Sequence, residues 1–106
     1  MDEALYNQRV AATFKRLLSA LDQVDPDVLE TDATGDMITI TAASGEKCIV
    51  NTQRAVRQLW VAGKGQGLHF DYHAQSGLWM DDKGLGLELF AHVADVLKDL
   101  GGDVTF

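Results

Sequence analysis

The apolar residues of this chain change period twice, and that limits the folds open to it. Tyr6, Val10, Phe14, Leu17 and Leu21 recur at intervals of four, four, three and four, a single stripe along a helix. Gln8, Arg9, Lys15, Arg16, Ser19 and Asp22 fill much of the remaining helical surface. Pro26 lacks an amide hydrogen and cannot continue a helix, so the helix is predicted to end between Asp22 and Asp25. Beyond it the period is two.

Val28–Thr31 reads as a first strand, Thr34-Gly35-Asp36 as a turn, and Met37–Thr41 as a strand with Ile38 and Ile40 on one face. After a turn at Ala43–Glu46, Lys47–Asn51 is the next strand. Ala55–Ala62 continues the pattern, with Leu59 and Val61 facing the core and Gln58 and Trp60 facing away. Gly63–Gly67 is rich in glycine and reads as a flexible hairpin connection. It lacks the Gly-Lys-Ser/Thr ending of a phosphate loop. Leu68–Tyr72 and Leu78–Met80 are strands separated by a turn at Ala74–Gly77, with a loop over Asp81–Gly86. Helical spacing then returns from about Leu87 to Leu100, on Leu89, Phe90, Val93, Val96, Leu97 and Leu100. Gly101-Gly102 is its cap, and Asp103–Phe106 an extended tail able to lie on the helices. Helix, run of strands, helix predicts an α+β two-layer sandwich, two helices packed on one face of an antiparallel β-sheet. At 106 residues the chain is expected to be a single domain over 1–106.

The charge is uneven. Leu17–Glu46 holds no Lys or Arg but carries Asp22, Asp25, Asp27, Glu30, Asp32, Asp36 and Glu46. Like charges at this density repel, and a metal ion, a basic protein surface, or sodium and water would relieve them. If Val28–Asp32 is extended, Glu30 and Asp32 share a face; Asp25 and Asp27 flank Pro26 and converge only if that turn folds back. A solvated edge that keeps the protein soluble is the plainer reading. The net charge of −7 disfavours nucleic acid and anionic membrane surfaces, and no apolar run reaches spanning length or resembles a secretory signal. Cys48 has no partner for an internal disulfide, in keeping with a cytoplasmic protein, and reads as a small buried hydrophobe.

Two further constellations stand out. His69, Asp71 and His73 alternate along one strand and so project from one face, and imidazole and carboxylate are competent ligands for iron(II), zinc or cobalt. The same alternation marks any half-exposed strand. Around Trp60, an indole on the outer side of the sheet, stand the amides of Asn51, Gln53 and Gln58, an aromatic with a polar rim of the kind that recognises a partner. The alternative is that Trp60 packs under Arg57 or His69. Trp79 reads as core or edge packing, and His92 as a polar residue on the exterior of the last helix. No Cys–His or Ser–His pairing, zinc motif or Glu-x-x-His set argues for catalysis, so a non-enzyme is expected.

Taken in order, Thr39-Ile40-Thr41, Asn51-Thr52-Gln53, Gln58-Leu59-Trp60-Val61-Ala62, His69-Phe70-Asp71, Trp79 and the amphipathic last helix resemble the bacterial frataxin (CyaY) family over nearly the whole chain. The resemblance implies the frataxin fold and a role in iron–sulfur cluster assembly. It implies weak binding of iron (Fe2+/Fe3+) by an acidic ridge, whose zone is occupied here by Asp22, Asp25, Asp27, Glu30 and Asp32. Relatives with this pattern place several carboxylates on the last helical turns, where this chain has Leu17, Leu18, Ala20 and Leu21. It implies docking on the cysteine desulfurase and the iron–sulfur scaffold complex, with Asn51, Gln53, Gln58 and Trp60 as contacts. His69 and Asp71 fit the pattern; His73 lies outside it. A monomer is expected. The alternatives are an iron buffer or storage protein assembling around metal, and an adaptor with no metal role.

Overall fold

Two-residue alternation sorts the side chains of a sheet, and here it leaves one face apolar and one polar. The computed structural model describes residues 1–106. Its elements are α1 (Glu3–Leu21), β1 (Leu29–Ala33), β2 (Met37–Ala42), β3 (Lys47–Gln53), β4 (Gln58–Gly63), β5 (Gln66–His73), β6 (Leu78–Asp81) and α2 (Leu89–Asp99). The strands form one antiparallel sheet in sequence order, so β1 and β6 are its edges. Leu29, Ile38, Ile40, Ala42, Cys48, Val50, Leu59, Val61, Leu68, Phe70 and Trp79 turn to one face. There they meet Tyr6, Val10, Phe14, Leu17 and Leu21 of α1 and Leu89, Val93, Val96 and Leu97 of α2 in one buried cluster. The predicted two-layer sandwich is what forms.

Every buried side-chain nitrogen and oxygen in the core has a hydrogen-bond partner. The Trp79 indole donates to the Thr13 hydroxyl at 3.0 Å, locking β6 to α1. The Tyr6 hydroxyl donates to the Gln58 carbonyl at 2.7 Å and so fixes where β4 begins. Cys48 is buried, and desolvation pushes its thiol up to about 12, as befits a hydrophobe and not a nucleophile. No helix is long and apolar enough to cross a membrane.

The boundaries differ from the sequence reading at four places. Val28 belongs to a turn, not a strand: its N–H and that of Leu29 both donate to the Asp25 carbonyl, with Pro26 at the second position of the turn. Arg54–Val56 is a 3₁₀ turn followed by Arg57 in the left-handed region (φ 54°), so β4 starts only at Gln58 and not near Ala55. Arg54 is drawn aside by Asp36, which accepts from its Nε at 3.1 Å and its Nη2 at 2.8 Å, and by Asn7. The glycine-rich segment is a tight turn: β4 and β5 pair to Gly63↔Gln66, leaving only Lys64 (φ 53°) and Gly65 (φ 73°) between them. Finally, α2 begins at Leu89 because the Glu88 carboxylate caps it, accepting from Phe90 and Ala91 N–H. The tail does lie on the helices, with Val104 buried and the Phe106 carbonyl accepting from Arg16.

Candidate functional site: the open face of the sheet and its acidic edge

The face of the sheet turned away from the helices carries rows of opposed side chains set by strand register. One row runs Met37, Asn51, Trp60, His69. The next runs Gln53, Gln58, Asp71, Met80. On the other side, Asp32 lies across from Thr39 and Ile49, and Glu30 across from Thr41 and Lys47. The four residues expected to meet a partner therefore share one surface, and Glu30 and Asp32 lie at its rim. Successive strands are about 4.8 Å apart, which puts Asp32 roughly 15 Å from Trp60.

The five carboxylates of the acidic zone follow one another along that edge. Asp22 is the C-cap of α1, whose last turn carries no basic residue. Asp25 and Asp27 occupy the corner after it, the Asp25 carboxylate accepting from the Asp27 N–H at 2.9 Å. Glu30 and Asp32 project outward from the edge strand. All five are exposed and none is in an ion pair: the pairs formed are Arg54–Asp36 and Lys64–Asp99, and the carboxylate nearest His69 is that of Asp82. Asp36 is the member of the acidic window that is neutralised. Hydrogen bonds from Arg54 and Thr52 hold its carboxyl below the usual range.

Trp60 is half-buried and well held. Its ring stacks on His69 with centroids 4.0 Å apart and planes 12° from parallel, so the packing alternative read from the sequence is realised in part. Its indole N–H donates to Gln58 Oε1 at 2.9 Å. Gln58 Nε2 in turn donates to Asp71 at 3.0 Å and to Asp82 at 3.1 Å. Asn51 donates to the Thr52 carbonyl. Gln53 is half-buried at the end of β3, with its side chain outside this array.

His69, Asp71 and His73 do share the open face, as alternation requires. Four residues of strand nevertheless put the two histidines about 13 Å apart. Asp71 is engaged by Gln58, and His69 lies between Trp60 and Asp82 Oδ2, 3.5 Å from its Nδ1. Across the chain no three His, Cys, Asp or Glu side chains come together in a way that would hold a metal ion. The donor set at the acidic edge thus suits diffuse attraction of cations by several carboxylates, not a closed coordination shell. His92 sits less far out than the sequence suggested: it is half-buried with its ring 5.8 Å from Phe70, and burial lowers its pKa.

The sequence reading passed over Asp81 and Asp82. Asp81 is buried, and its carboxylate accepts from the N–H groups of Lys83, Leu85 and Leu87 at 3.1, 2.8 and 2.8 Å. Those bonds, the one from Leu85 foremost, hold its carboxyl below the usual range. Asp82 faces the other way, onto the open face. The signal available was alternation: adjacent aspartates after a buried Trp79 must point to opposite sides.

Comparison with known proteins agrees with this architecture. Residues 1–103 match the sequence model of the frataxin-like domain. An "Iron-sulfur cluster assembly protein CyaY" of Pseudomonas aeruginosa is 39% identical over 82 residues, covering 77% of this chain and 75% of the relative. One of the same name from Tolumonas auensis is 29% identical over 103 residues, 97% of this chain and 95% of the relative. The solved frataxin of Psychromonas ingrahamii superposes with a TM-score of 0.86, covering 99% of this chain and 96% of that one at 22% identity, which speaks for a common fold. The chain belongs to the frataxin-like family.

Proposed function

We propose that this protein is a weak iron binder that regulates iron–sulfur cluster assembly in the cytoplasm. It acts as a single monomeric domain docking on the cysteine desulfurase and its scaffold, and is not itself a catalyst. Its relatives carry the name of cluster assembly proteins. The observation that most supports the reading is the shared open face, where unpaired carboxylates at the β1 edge and the Trp60 row belong to one sheet surface. The acidic edge raises the local concentration of iron and steers a basic partner surface, while Trp60, Asn51, Gln53 and Gln58 supply the short-range contacts. Of the two candidate metal sets, Asp22, Asp25, Asp27, Glu30 and Asp32 are the ones we assign to iron. There the ion is cargo held by exposed oxygen ligands.

The test is binding to purified cysteine desulfurase across ionic strength. Affinity is expected to fall steeply from low to high salt, and Glu30→Lys with Asp32→Lys to weaken binding at least tenfold at low salt. Trp60→Ala is expected to weaken it at all salt concentrations. Salt-independent affinity would refute electrostatic docking. If the lysine variants lose iron uptake or metal-driven assembly but keep desulfurase affinity, the protein is an iron store. No response of any carboxylate resonance to iron(II) would make it a metal-free adaptor.

A further inference from the structure

We infer that Asp82 is a positioning residue for Trp60, a role that rests on the docking reading above. The Gln58 side chain has one acceptor and two donor hydrogens, and all three are used: Oε1 takes the Trp60 indole N–H at 2.9 Å, and Nε2 gives one hydrogen to Asp71 at 3.0 Å and the other to Asp82 at 3.1 Å. Turning the amide over would set its oxygen against two carboxylates and its NH2 group against the indole N–H. The carboxylates thus decide the orientation of Gln58, and Gln58 decides where the indole N–H points.

Asp82 contributes more to this than Asp71 does. Its Oδ2 also lies 3.5 Å from Nδ1 of His69, the ring stacked on Trp60 at 4.0 Å. It therefore bonds one of the side chains that hold the indole and lies beside the other, whereas Asp71 meets only Gln58. Asp82 is itself well placed for this. Asp81, next to it, is turned inward and clamps the β6–α2 loop through three backbone N–H groups. The Asp82 N–H donates to the His69 carbonyl at 2.9 Å, extending the β5–β6 ladder one residue past Asp81. Its side chain then falls in the row of Met37, Asn51, Trp60 and His69. One aspartate anchors the loop, and its neighbour uses that anchorage to order the open face.

The benefit is preorganisation. A tryptophan and a glutamine free on a sheet surface must be ordered when a partner docks, and fixing them beforehand removes that cost. Asp82→Ala is expected to weaken desulfurase binding about fivefold to tenfold. Asp82→Asn, which keeps an acceptor oxygen for Gln58 but no charge, is expected to stay within about twofold of wild type. In the isolated protein, Asp82→Ala should speed hydrogen exchange at the Trp60 indole and shift its resonance. The Trp79 indole, bonded to Thr13 in the core, serves as internal reference and should not move. Asp82→Ser, too short to reach Gln58, is read in the same way should the alanine variant fail to fold. An unchanged Trp60 indole in these variants overturns the inference. So does an Asp82→Asn loss as large as that of Asp82→Ala, since the effect would then be one of charge. If wild type does not bind the desulfurase, the docking reading fails while the indole measurement still decides the role of Asp82.

Discussion

Asp22 sits where a helix tolerates negative charge least, and replacing it with lysine should stabilise the protein. The carbonyl groups of the last turn of α1 give that end a partial negative charge, and Asp22 is its C-cap with no basic residue in the last turn. Asp25 and Asp27 follow at once, both exposed and unpaired. A charge of the wrong sign at a helix end costs about 0.3–1 kcal/mol, and one of the right sign gains a similar amount. Asp22→Lys removes the first and adds the second, so the expected gain is about 0.6–2 kcal/mol at low salt; Asp22→Asn, which only removes charge, should give about half of that. The assay is urea unfolding of the three proteins in about 10 mM and about 1 M salt, between which the Debye length falls from about 30 Å to about 3 Å. Most of the gain should vanish at high salt, and wild type itself should become more stable there. A gain equal in both salts would mean that the side chain acts through backbone propensity or packing. A loss at low salt would mean that the acidic edge is not electrostatically strained.

Two further outcomes follow from the core. A Cβ placed on Gly63 would come within 2.6 Å of Val96 Cγ1, so the Val96 side chain would have to shift to admit it. Gly63→Ala should cost about 1–3 kcal/mol in a chemical melt but almost nothing in a Val96→Ala background, and equal costs in the two backgrounds would discard the contact as the cause. His92 has its pKa lowered chiefly by burial, with Asp95 and Asp81 opposing. The unfolded chain therefore binds the proton more readily, and stability should fall as pH drops below about 6.5 towards the lower folded value. Wild type should lose stability between about pH 7 and pH 5 relative to His92→Gln, and parallel profiles would refute the assignment. Asp36 and Asp81 are lowered as well, by hydrogen bonds that favour the charged carboxylate, and take effect only in stronger acid. Their stabilisation is present above the ordinary carboxylate value and is lost as pH falls through their lowered folded values.

Both helices and all six strands were legible to within a few residues, because one side of each is buried and burial writes its period into the sequence. The errors have local causes at Val28 and Glu88, where a turn and a cap displace an element by one or two positions. At Ala55 the cause is distant: Arg54 leaves the strand to reach Asp36 and Asn7, residues that no pattern within that segment mentions. The hairpin at Lys64-Gly65 was the costlier misreading. Three glycines suggested slack, whereas a two-residue turn fixes register by counting: Gly63 opposes Gln66, and Trp60 must then oppose His69. Read that way, the stack that holds Trp60 was present in the sequence. Asp82 follows by the same count from Phe70↔Asp81. The exposed carboxylates were visible as composition, but their common edge needed Asp22 at a helix end and β1 at the rim of the sheet.

The two faces of the sheet are under different demands, and the acidic edge is where those demands collide. On the helix side every buried side-chain nitrogen and oxygen is paired, and a Cβ on Gly63 would meet Val96 Cγ1 at 2.6 Å. On the open side Trp60 is held by a closed set of hydrogen bonds and a stacked ring, which also favours a fixed structure. The carboxylates from Asp22 to Asp32 have no such compensation within the chain, although arginine and lysine are available elsewhere in it. Sequences commonly keep a local conflict of this kind where function requires it. If iron and a basic partner surface are what relieve the repulsion, each must bind more weakly to the lysine variant that folds better. Asp22→Lys is therefore expected to raise stability and lower desulfurase affinity together, both changes shrinking in parallel with added salt. A variant that gained stability at low salt and bound the desulfurase undiminished would separate the strained edge from the function proposed for it.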